Sequence, residues 1–170
     1  MSAIIYSLWF KPAGATFDVL AEVIDQFAQE FGHTAFEPHV TLLGNLDGTE
    51  EEILRRTELL AKRLQPFQVE LTEPAHGYQH FQCVFMRVRQ TSPVMDAHAR
   101  AQKVFDQAEG SFMPHLSLVY GMFPDDRKLE IISRLPDLRG SFEATTVYLI
   151  EADSEDPRDW RELAAFPIEG

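Results

Sequence analysis

The sequence predicts an α+β fold with antiparallel sheets, organised as two similar lobes around one cleft. Apolar residues alternate between the two-residue period of strands and the 3.6-residue period of helices, without strict strand–helix alternation. One short motif occurs twice, at His39 and His115, just under half the chain length apart. No linker or low-complexity segment separates the copies. We therefore predict one bilobal domain over residues 1–170.

The first half of the chain has the predicted order β-α-β-α. The elements are a strand over 3–10, a helix over about 15–31, the first motif strand near 38–44, and a helix over about 49–64. Gly32 is the predicted stop for the first helix, because glycine readily takes the left-handed conformation that follows a helix. Thr49 and Glu52 form a capping box at the start of the second helix.

The second half has the predicted order β-β-α-β-α-β-β. The elements are strands over 67–73 and 80–89, a helix from 92 to 110, the second motif strand near 114–121, a helix over 124–135, and strands over 141–150 and 161–168. Pro74 to Gly77 is predicted to separate the first two strands. Ser92 and Pro93 indicate a helix start, with serine as the cap and proline in the first turn.

Composition limits the classes of partner. The net charge is −12 and there is no basic run, which disfavours binding of a nucleic-acid duplex because phosphate backbones are bound largely by Lys and Arg. A small phosphate ester remains compatible, since local donors can outweigh distant charges screened over about 8 Å.

The sequence also suggests a cellular location. It has no apolar run long enough to span a membrane, and its first residues lack the basic start and small-residue cleavage site expected of a signal peptide. Cys83 is the single cysteine, so no disulfide can form within the chain. These features favour a cytoplasmic protein without membrane contact, and we expect a monomer.

The repeated motif is proline, histidine, an aliphatic residue, a hydroxyl residue, further aliphatics and a glycine. The two copies read Pro38-His39-Val40-Thr41-Leu42-Leu43-Gly44 and Pro114-His115-Leu116-Ser117-Leu118-Val119-Tyr120-Gly121. Because side chains alternate along a strand, His39 and Thr41 share one face, as do His115 and Ser117. The aliphatic residues point the other way, so the polar pairs can face a cleft.

Two histidines at one cleft can move two protons in a single reaction. A neutral imidazole takes a proton from water while a protonated one gives a proton to the leaving oxygen, and an ordinary pKa near 6.5 permits both forms. The hydroxyls of Thr41 and Ser117 suit the non-bridging oxygens of a phosphate. This set predicts hydrolysis of a cyclic phosphodiester without a metal; a purely structural internal repeat is the alternative.

Other chemistry-bearing residues give weaker signals. His76 and His80 have the spacing of a zinc pair on a helix, but Gly77 and the following strand disfavour that helix. Cys83 has no neighbouring base in the sequence and is predicted to be a buried core residue. No Gly-rich phosphate loop is present. We therefore predict neither a cofactor nor a metal.

Paired His-x-[Ser/Thr] motifs in a duplicated α+β chain resemble the 2H phosphoesterase superfamily. More narrowly, the sequence is similar to the plant and fungal cyclic phosphodiesterases, which open ADP-ribose 1″,2″-cyclic phosphate. The narrower likeness includes Tyr6-Ser7-Leu8-Trp9, Phe81-Gln82-Cys83-Val84-Phe85, Ser92-Pro93-Val94-Met95 and the tyrosine after the second motif.

The resemblance implies two antiparallel β-sheet lobes with flanking helices and pseudo-two-fold symmetry around a central cleft. It implies catalytic roles for four residues, with one histidine as base and the other as acid: His115 (base), His39 (acid), Thr41 and Ser117. It further implies substrate contacts at Tyr120, Trp9 and Phe81. Trp9 and Phe81 could instead belong to the core, and Tyr120 could simply cap its strand.

The resulting hypothesis is hydrolysis of ADP-ribose 1″,2″-cyclic phosphate or a nucleoside 2′,3′-cyclic phosphate to a phosphomonoester. One alternative is an RNA 2′,3′-cyclic phosphodiesterase that processes RNA ends. The other is a nucleotide-binding module without catalysis. The expected partner is a small cyclic phosphate, with RNA ends as the second class.

Overall fold

The computed structural model describes residues 4–108 and 110–169, which form an antiparallel sheet of eight strands with four α-helices. The strands are β1 Tyr6–Phe10, β2 Val40–Leu46, β3 Phe67–His76, β4 Val84–Val88, β5 His115–Val119, β6 Gly140–Ala144, β7 Thr146–Glu151 and β8 Arg161–Pro167. The helices are α1 Gly14–Phe31, α2 Glu50–Arg63, α3 Ser92–Val104 and α4 Asp125–Ser133, with 3₁₀ turns at His80–Gln82 and Pro157–Asp159.

The sheet consists of two four-stranded halves that meet at the motif strands. The strand order is β6-β3-β4-β5-β2-β1-β7-β8, and β2 and β5 are joined through the pair Val40 and Leu116. We call β2, β1, β7 and β8 the β2 half, and β5, β4, β3 and β6 the β5 half. The α+β prediction with antiparallel pairing is confirmed, and the two predicted sheets are continuous at this junction.

The core lies between the helices and one face of the sheet. Val40 and Leu42 of β2 and Leu116 and Leu118 of β5 are each at most 3% exposed. Helices α1 and α4 pack against strands of the β5 half, and α2 packs against β7 and β8. Because side chains alternate along a strand, burial of these aliphatic residues leaves the histidines and hydroxyls of both motifs on the opposite face.

Local sequence signals explain where helices begin and end. Gly32 has a left-handed φ of 70° directly after α1, as predicted for the stop of that helix. The backbone amide of Glu52 donates to the Thr49 hydroxyl at 3.2 Å, so the predicted N-cap of α2 is confirmed. None of the helices in the described residues is long and apolar enough to cross a membrane.

One predicted strand is wrong in its extent. Residues 141–150 form two strands, because β6 pairs with β3 in the β5 half whereas β7 pairs with β1 and β8 in the β2 half. The chain passes from one half to the other at Thr145, whose carbonyl accepts from the amide of Ile168 at 2.8 Å. Apolar alternation is similar on both sides of this crossing, so periodicity did not detect it.

Two further boundaries differ in the β5 half. The predicted break between strands at 74–77 does not occur at Pro74, since β3 continues to His76. Pro74 lies within β3, at a point where the pairing register with β4 shifts. Proline lacks an amide donor and is tolerated at such irregularities. The predicted strand at 80–89 begins with the 3₁₀ turn, so its strand covers only Val84–Val88.

The remaining differences concern the ends of two elements. Helix α3 ends at Val104 rather than Gly110, since Asp106 takes a left-handed φ of 53°. Its N-cap residue is Thr91, and Ser92 is the first helical residue. The predicted first strand began at Ala3, which lies outside the described residues; the strand itself begins at Tyr6.

Candidate active site

The two motifs are adjacent in the sheet. Val40 of β2 pairs with Leu116 of β5 in an antiparallel ladder. Extending this register by one residue places His39 opposite Ser117 and Thr41 opposite His115, on the face away from the core. The four residues predicted from the sequence to be catalytic therefore form one two-by-two array at the junction of the halves.

Both imidazoles are held in the same way. The Nδ1–H of His39 donates to the carbonyl of Glu37 at 2.7 Å, and that of His115 donates to the carbonyl of Met113 at 3.0 Å. A carbonyl only accepts hydrogen bonds, so Nδ1 carries the proton in each neutral ring. Each Nε2 is then left with a lone pair that can accept a proton.

His39 is the more enclosed of the two. It is 6% exposed, and its ring stacks on the Trp9 indole with centroids 3.5 Å apart and planes 12° apart. Burial lowers the pKa of His39 to about 4, and positive charge on His115 and Lys11 acts in the same direction. His39 is accordingly neutral at pH 7 in the free protein.

His115 has a different environment. Its ring is half-buried and lies 5.1 Å from that of Phe85, the residue paired with Ser117 across β4 and β5. Burial lowers the pKa of His115, and the bond to the Met113 carbonyl opposes this shift. The free site therefore presents two neutral imidazoles with unequal affinities for a proton.

The two hydroxyls differ in their hydrogen bonds. Ser117 Oγ donates to the carbonyl of Phe81 at 2.7 Å. Thr41 is half-buried, and its hydroxyl has no hydrogen-bond partner within the described part of the chain. Thr41 can therefore donate directly to a bound phosphate, whereas Ser117 must first turn its proton away from Phe81.

The three predicted substrate-contact residues share an aromatic neighbour, Trp160. The Trp160 ring lies 5.7 Å from Trp9, 6.0 Å from Phe81 and 6.0 Å from Tyr120. Tyr120 also stacks on Phe36 at 3.8 Å. Trp9 and Tyr120 are largely buried, while Phe81 is 37% exposed and so is not a core residue. These rings form a wall beside His39.

Sequence reasoning missed Phe36 and Trp160. Phe36 lies two residues before Pro38, and Trp160 follows the acidic turn-rich segment 151–158. An aromatic residue in a polar segment is the available signal for both, and for Phe36 so is its closeness to the first motif, but neither signal reveals which rings meet.

Comparison with known proteins identifies the family. Residues 16–156 match the 2′-5′ RNA ligase superfamily. The chain belongs to this superfamily. The match confirms the resemblance to the 2H phosphoesterases, and the chain is a hydrolase that acts on phosphoric diesters.

Individual known proteins resemble the chain in sequence or in fold. The chain is 26% identical over 158 residues to a cyclic phosphodiesterase of Arabidopsis thaliana, covering 89% of this chain and 87% of that protein. Its fold resembles that of E. coli LigT in the apo form, with a TM-score of 0.71, 14% identity and 98% coverage of both chains. TT0787 of Thermus thermophilus has a TM-score of 0.67 at 16% identity, again with 98% coverage of each.

In this superfamily member, one loop fixes the partner of Ser117. The amide of Gly121 donates to the carbonyl of His80 at 2.9 Å, and Lys128 Nζ donates to the carbonyl of Gly77 at 2.7 Å. A Cβ at Gly77 would lie 2.6 Å from the Gln82 carbonyl oxygen, so a larger residue would displace the loop. The loop between Gly77 and Gln82 thus holds the Phe81 carbonyl in place.

Cations flank the superfamily motifs on both sides. Lys11 Nζ lies 3.1 Å from a carboxylate oxygen of Glu37 and 2.6 Å from one of Glu162. On the His115 side, Arg87 is exposed to solvent.

A cavity of about 370 Å³ borders the site on the His39 side, with Trp9 and Trp160 in its lining.

Residues that gave weaker signals lie as follows. His76 is in β3 and His80 in the 3₁₀ turn, so they do not share a helix. Cys83 is buried, and burial raises the pKa of its thiol. Within residues 4–108 and 110–169, no cluster of three or more His, Cys, Asp or Glu side chains could hold a metal ion.

Proposed function

We propose that this protein hydrolyses a cyclic phosphodiester of a ribose-type sugar to a phosphomonoester, by general acid–base catalysis with His39 and His115. ADP-ribose 1″,2″-cyclic phosphate and nucleoside 2′,3′-cyclic phosphates are the candidate substrates. The observation that carries the proposal is that both imidazoles are held by Nδ1 on one sheet face at the junction of the halves.

The proposed reaction has one attacking water and one leaving oxygen. One histidine removes a proton through Nε2 as the water oxygen attacks phosphorus. The bond from phosphorus to one ring ester oxygen breaks, and the other histidine, protonated at Nε2, gives its proton to that oxygen. The Thr41 and Ser117 hydroxyls then bind non-bridging oxygens, which gain charge in the transition state.

The acid must acquire its proton when substrate binds, because both histidine pKa values are lowered in the free site. The negative charge of a bound phosphodiester favours the protonated imidazole and raises its pKa. The resemblance assigns His115 as base and His39 as acid, which stays a prediction. The stronger lowering at His39 favours the opposite assignment, since the acid must be protonated before it reacts and His39 is the harder of the two to protonate in the free site.

Two observations support a small substrate. Within the aromatic wall formed by Trp9, Phe81, Tyr120 and Trp160, Phe81 and Trp160 are partly exposed and offer apolar surface for a sugar or base. The net charge of −12 disfavours a long RNA, which would require many phosphate contacts. The Arabidopsis relative carries the name cyclic phosphodiesterase, in agreement with this substrate class. The cytoplasmic location and monomeric state stay predictions.

The direct test is a screen of cyclic phosphates with the product read by phosphorus NMR. We expect ADP-ribose 1″,2″-cyclic phosphate or a nucleoside 2′,3′-cyclic phosphate to open to a single phosphomonoester, at a rate unaffected by EDTA. Absence of turnover across the panel, or complete inhibition by chelator, would contradict the proposal.

RNA end processing is the second candidate, because the matching superfamily is named after a reaction of RNA. An oligonucleotide that ends in a 2′,3′-cyclic phosphate distinguishes the two candidates. A kcat/KM for this oligonucleotide well above that for the cyclic mononucleotide would favour RNA ends. Tight binding of nucleotides without turnover would instead favour the non-catalytic module.

A further inference from the structure

Arg87 lies directly beside His115. The two residues are opposite each other in the β4–β5 ladder. Directly opposite side chains point to the same face, with Cβ atoms about 4.5–5.5 Å apart. The guanidinium of Arg87 is 5.9 Å from the centre of the Phe85 ring, which itself neighbours His115. Arg87 therefore brings a positive charge to the site face on the His115 side.

This guanidinium is weakly engaged. Its carboxylate neighbour is Glu73, at 3.9 Å, and the two side chains are 46% and 70% exposed. An exposed ion pair at this distance contributes little. Arg89, two residues further on, instead donates to both carboxylate oxygens of Glu70, at 2.7 and 3.3 Å.

The cation on the other side of the site is already engaged. Lys11 is 9% exposed and lies between Glu37 and Glu162, whose two carboxylates exceed its single charge. Of these two cations beside the histidines, Arg87 is the one whose charge is open to an incoming anion.

We propose that Arg87 binds a second phosphate of the substrate, separate from the cyclic phosphodiester under attack. A guanidinium presents a planar fork of N–H donors that fits phosphate oxygens. Because Arg87 is at the exposed rim beside His115, its ligand is a group that projects out of the cleft from the sugar under attack. The inference rests on the proposed function and narrows its substrate class to cyclic phosphates of sugars that also carry a 5′-phosphate or diphosphate.

Charge explains why such a residue is needed. With a net charge of −12, the protein repels polyanions at long range. A second phosphate increases this repulsion unless a cation lies within the screening length of about 8 Å. Arg87 supplies that local charge and distinguishes phosphorylated from unphosphorylated sugars.

The test compares kcat/KM for adenosine 2′,3′-cyclic phosphate with and without a 5′-phosphate. In the wild type we expect the 5′-phosphorylated substrate to be favoured roughly tenfold at low ionic strength, and less so in high salt. Arg87→Gln should bring this ratio to about 1, and Arg87→Lys should restore part of it. Arg89→Gln is the matched control and should keep the wild-type ratio.

A wild type without preference, an Arg87→Gln variant with the full preference, or an Arg89→Gln variant that loses it equally would overturn the inference. If the wild type hydrolyses neither adenosine substrate, the nucleoside branch of the proposed function fails, and binding measurements then test the role of Arg87. Calorimetry would then compare adenosine 3′,5′-bisphosphate with adenosine 3′-monophosphate. Selective weakening of bisphosphate binding in Arg87→Gln would support the subsite, and equal affinities would overturn it.

Discussion

The β2 half and the β5 half present the same motif in unequal surroundings. In each, the histidine Nδ1 donates to the carbonyl two residues earlier. In the β2 half, the Trp9 indole stacks on His39 and encloses it. In the β5 half, the smaller ring of Phe85 lies 5.1 Å from His115, and Arg87 adds an exposed charge.

The difference teaches that the motif sets backbone geometry while the neighbouring strand sets proton affinity. Trp9 comes from β1, which pairs with β2, and Phe85 comes from β4, which pairs with β5. The greater burial of His39 lowers its pKa further than that of His115. An acid–base pair benefits from such unequal groups, because one must accept a proton while the other gives one.

The largest expected effect is removal of either histidine. His39→Gln and His115→Gln should each reduce kcat by about 10²–10⁴-fold, the usual contribution of one general acid or base. His33→Gln, at an exposed loop position, is the control and should keep wild-type turnover. Either active-site variant that retains more than a tenth of the wild-type rate while folded would contradict the shared role.

The next effect is on stability in acid. Because the pKa of folded His39 is about 4, an unfolded chain binds a proton between pH 6.5 and 4 that the folded chain does not. Folding should therefore weaken as the pH falls through this range, and His39→Gln should remove about 2–3 kcal/mol of that weakening. His115→Gln should remove a smaller part of the acid destabilisation, because the pKa of His115 is lowered less.

Denaturant unfolding at pH 7.5 and 4.5 measures this difference, since carboxylate contributions are common to both variants and cancel. An equal pH dependence for His39→Gln and the wild type would refute the claimed burial effect.

The third prediction concerns the aromatic rings that make the surroundings of His39 and His115 unequal. Trp9→Leu should raise the pKa of His39 by about one unit toward 6.5, because water then reaches the imidazole. Phe85→Leu should shift the pKa of His115 by less, since that ring lies farther from its histidine. NMR titration of both histidines in each variant is the measurement, and an unchanged pKa of His39 in Trp9→Leu would count against enclosure by the indole.

The smallest effect separates the two hydroxyls. Ser117→Ala should lower the free energy of unfolding by about 1 kcal/mol, because the Phe81 carbonyl loses its donor. Thr41→Val should change stability by less than about 0.5 kcal/mol. Thermal unfolding of the pair measures this difference, and equal stabilities would show that the bond from Ser117 contributes nothing.

The features that sequence predicted well are those governed by local chemistry. The Thr49 cap and the Gly32 stop are set by neighbouring residues, and both are observed. The sharing of one strand face by His39 and Thr41, and by His115 and Ser117, follows from strand alternation. These inferences need no knowledge of which strands pair.

The features that sequence missed depend on long-range pairing. The crossing at Thr145 is a choice of partner strand, to which a two-residue period is insensitive. Trp160 reaches Trp9 only because β7 lies between β1 and β8, and Arg87 reaches the His115 side only through the β4–β5 register. Sheet order and register are tertiary properties that local patterns leave open.

The central claim is that both imidazoles contact one phosphorus centre from opposite halves of the sheet. A crystal structure of the protein with bound inorganic phosphate tests it most directly. We expect Nε2 of His39 and Nε2 of His115 each to lie within about 3.2 Å of an oxygen of the same phosphate. A phosphate bound elsewhere, or one that reaches only one ring because the Nε2 atoms are too far apart, would contradict the account.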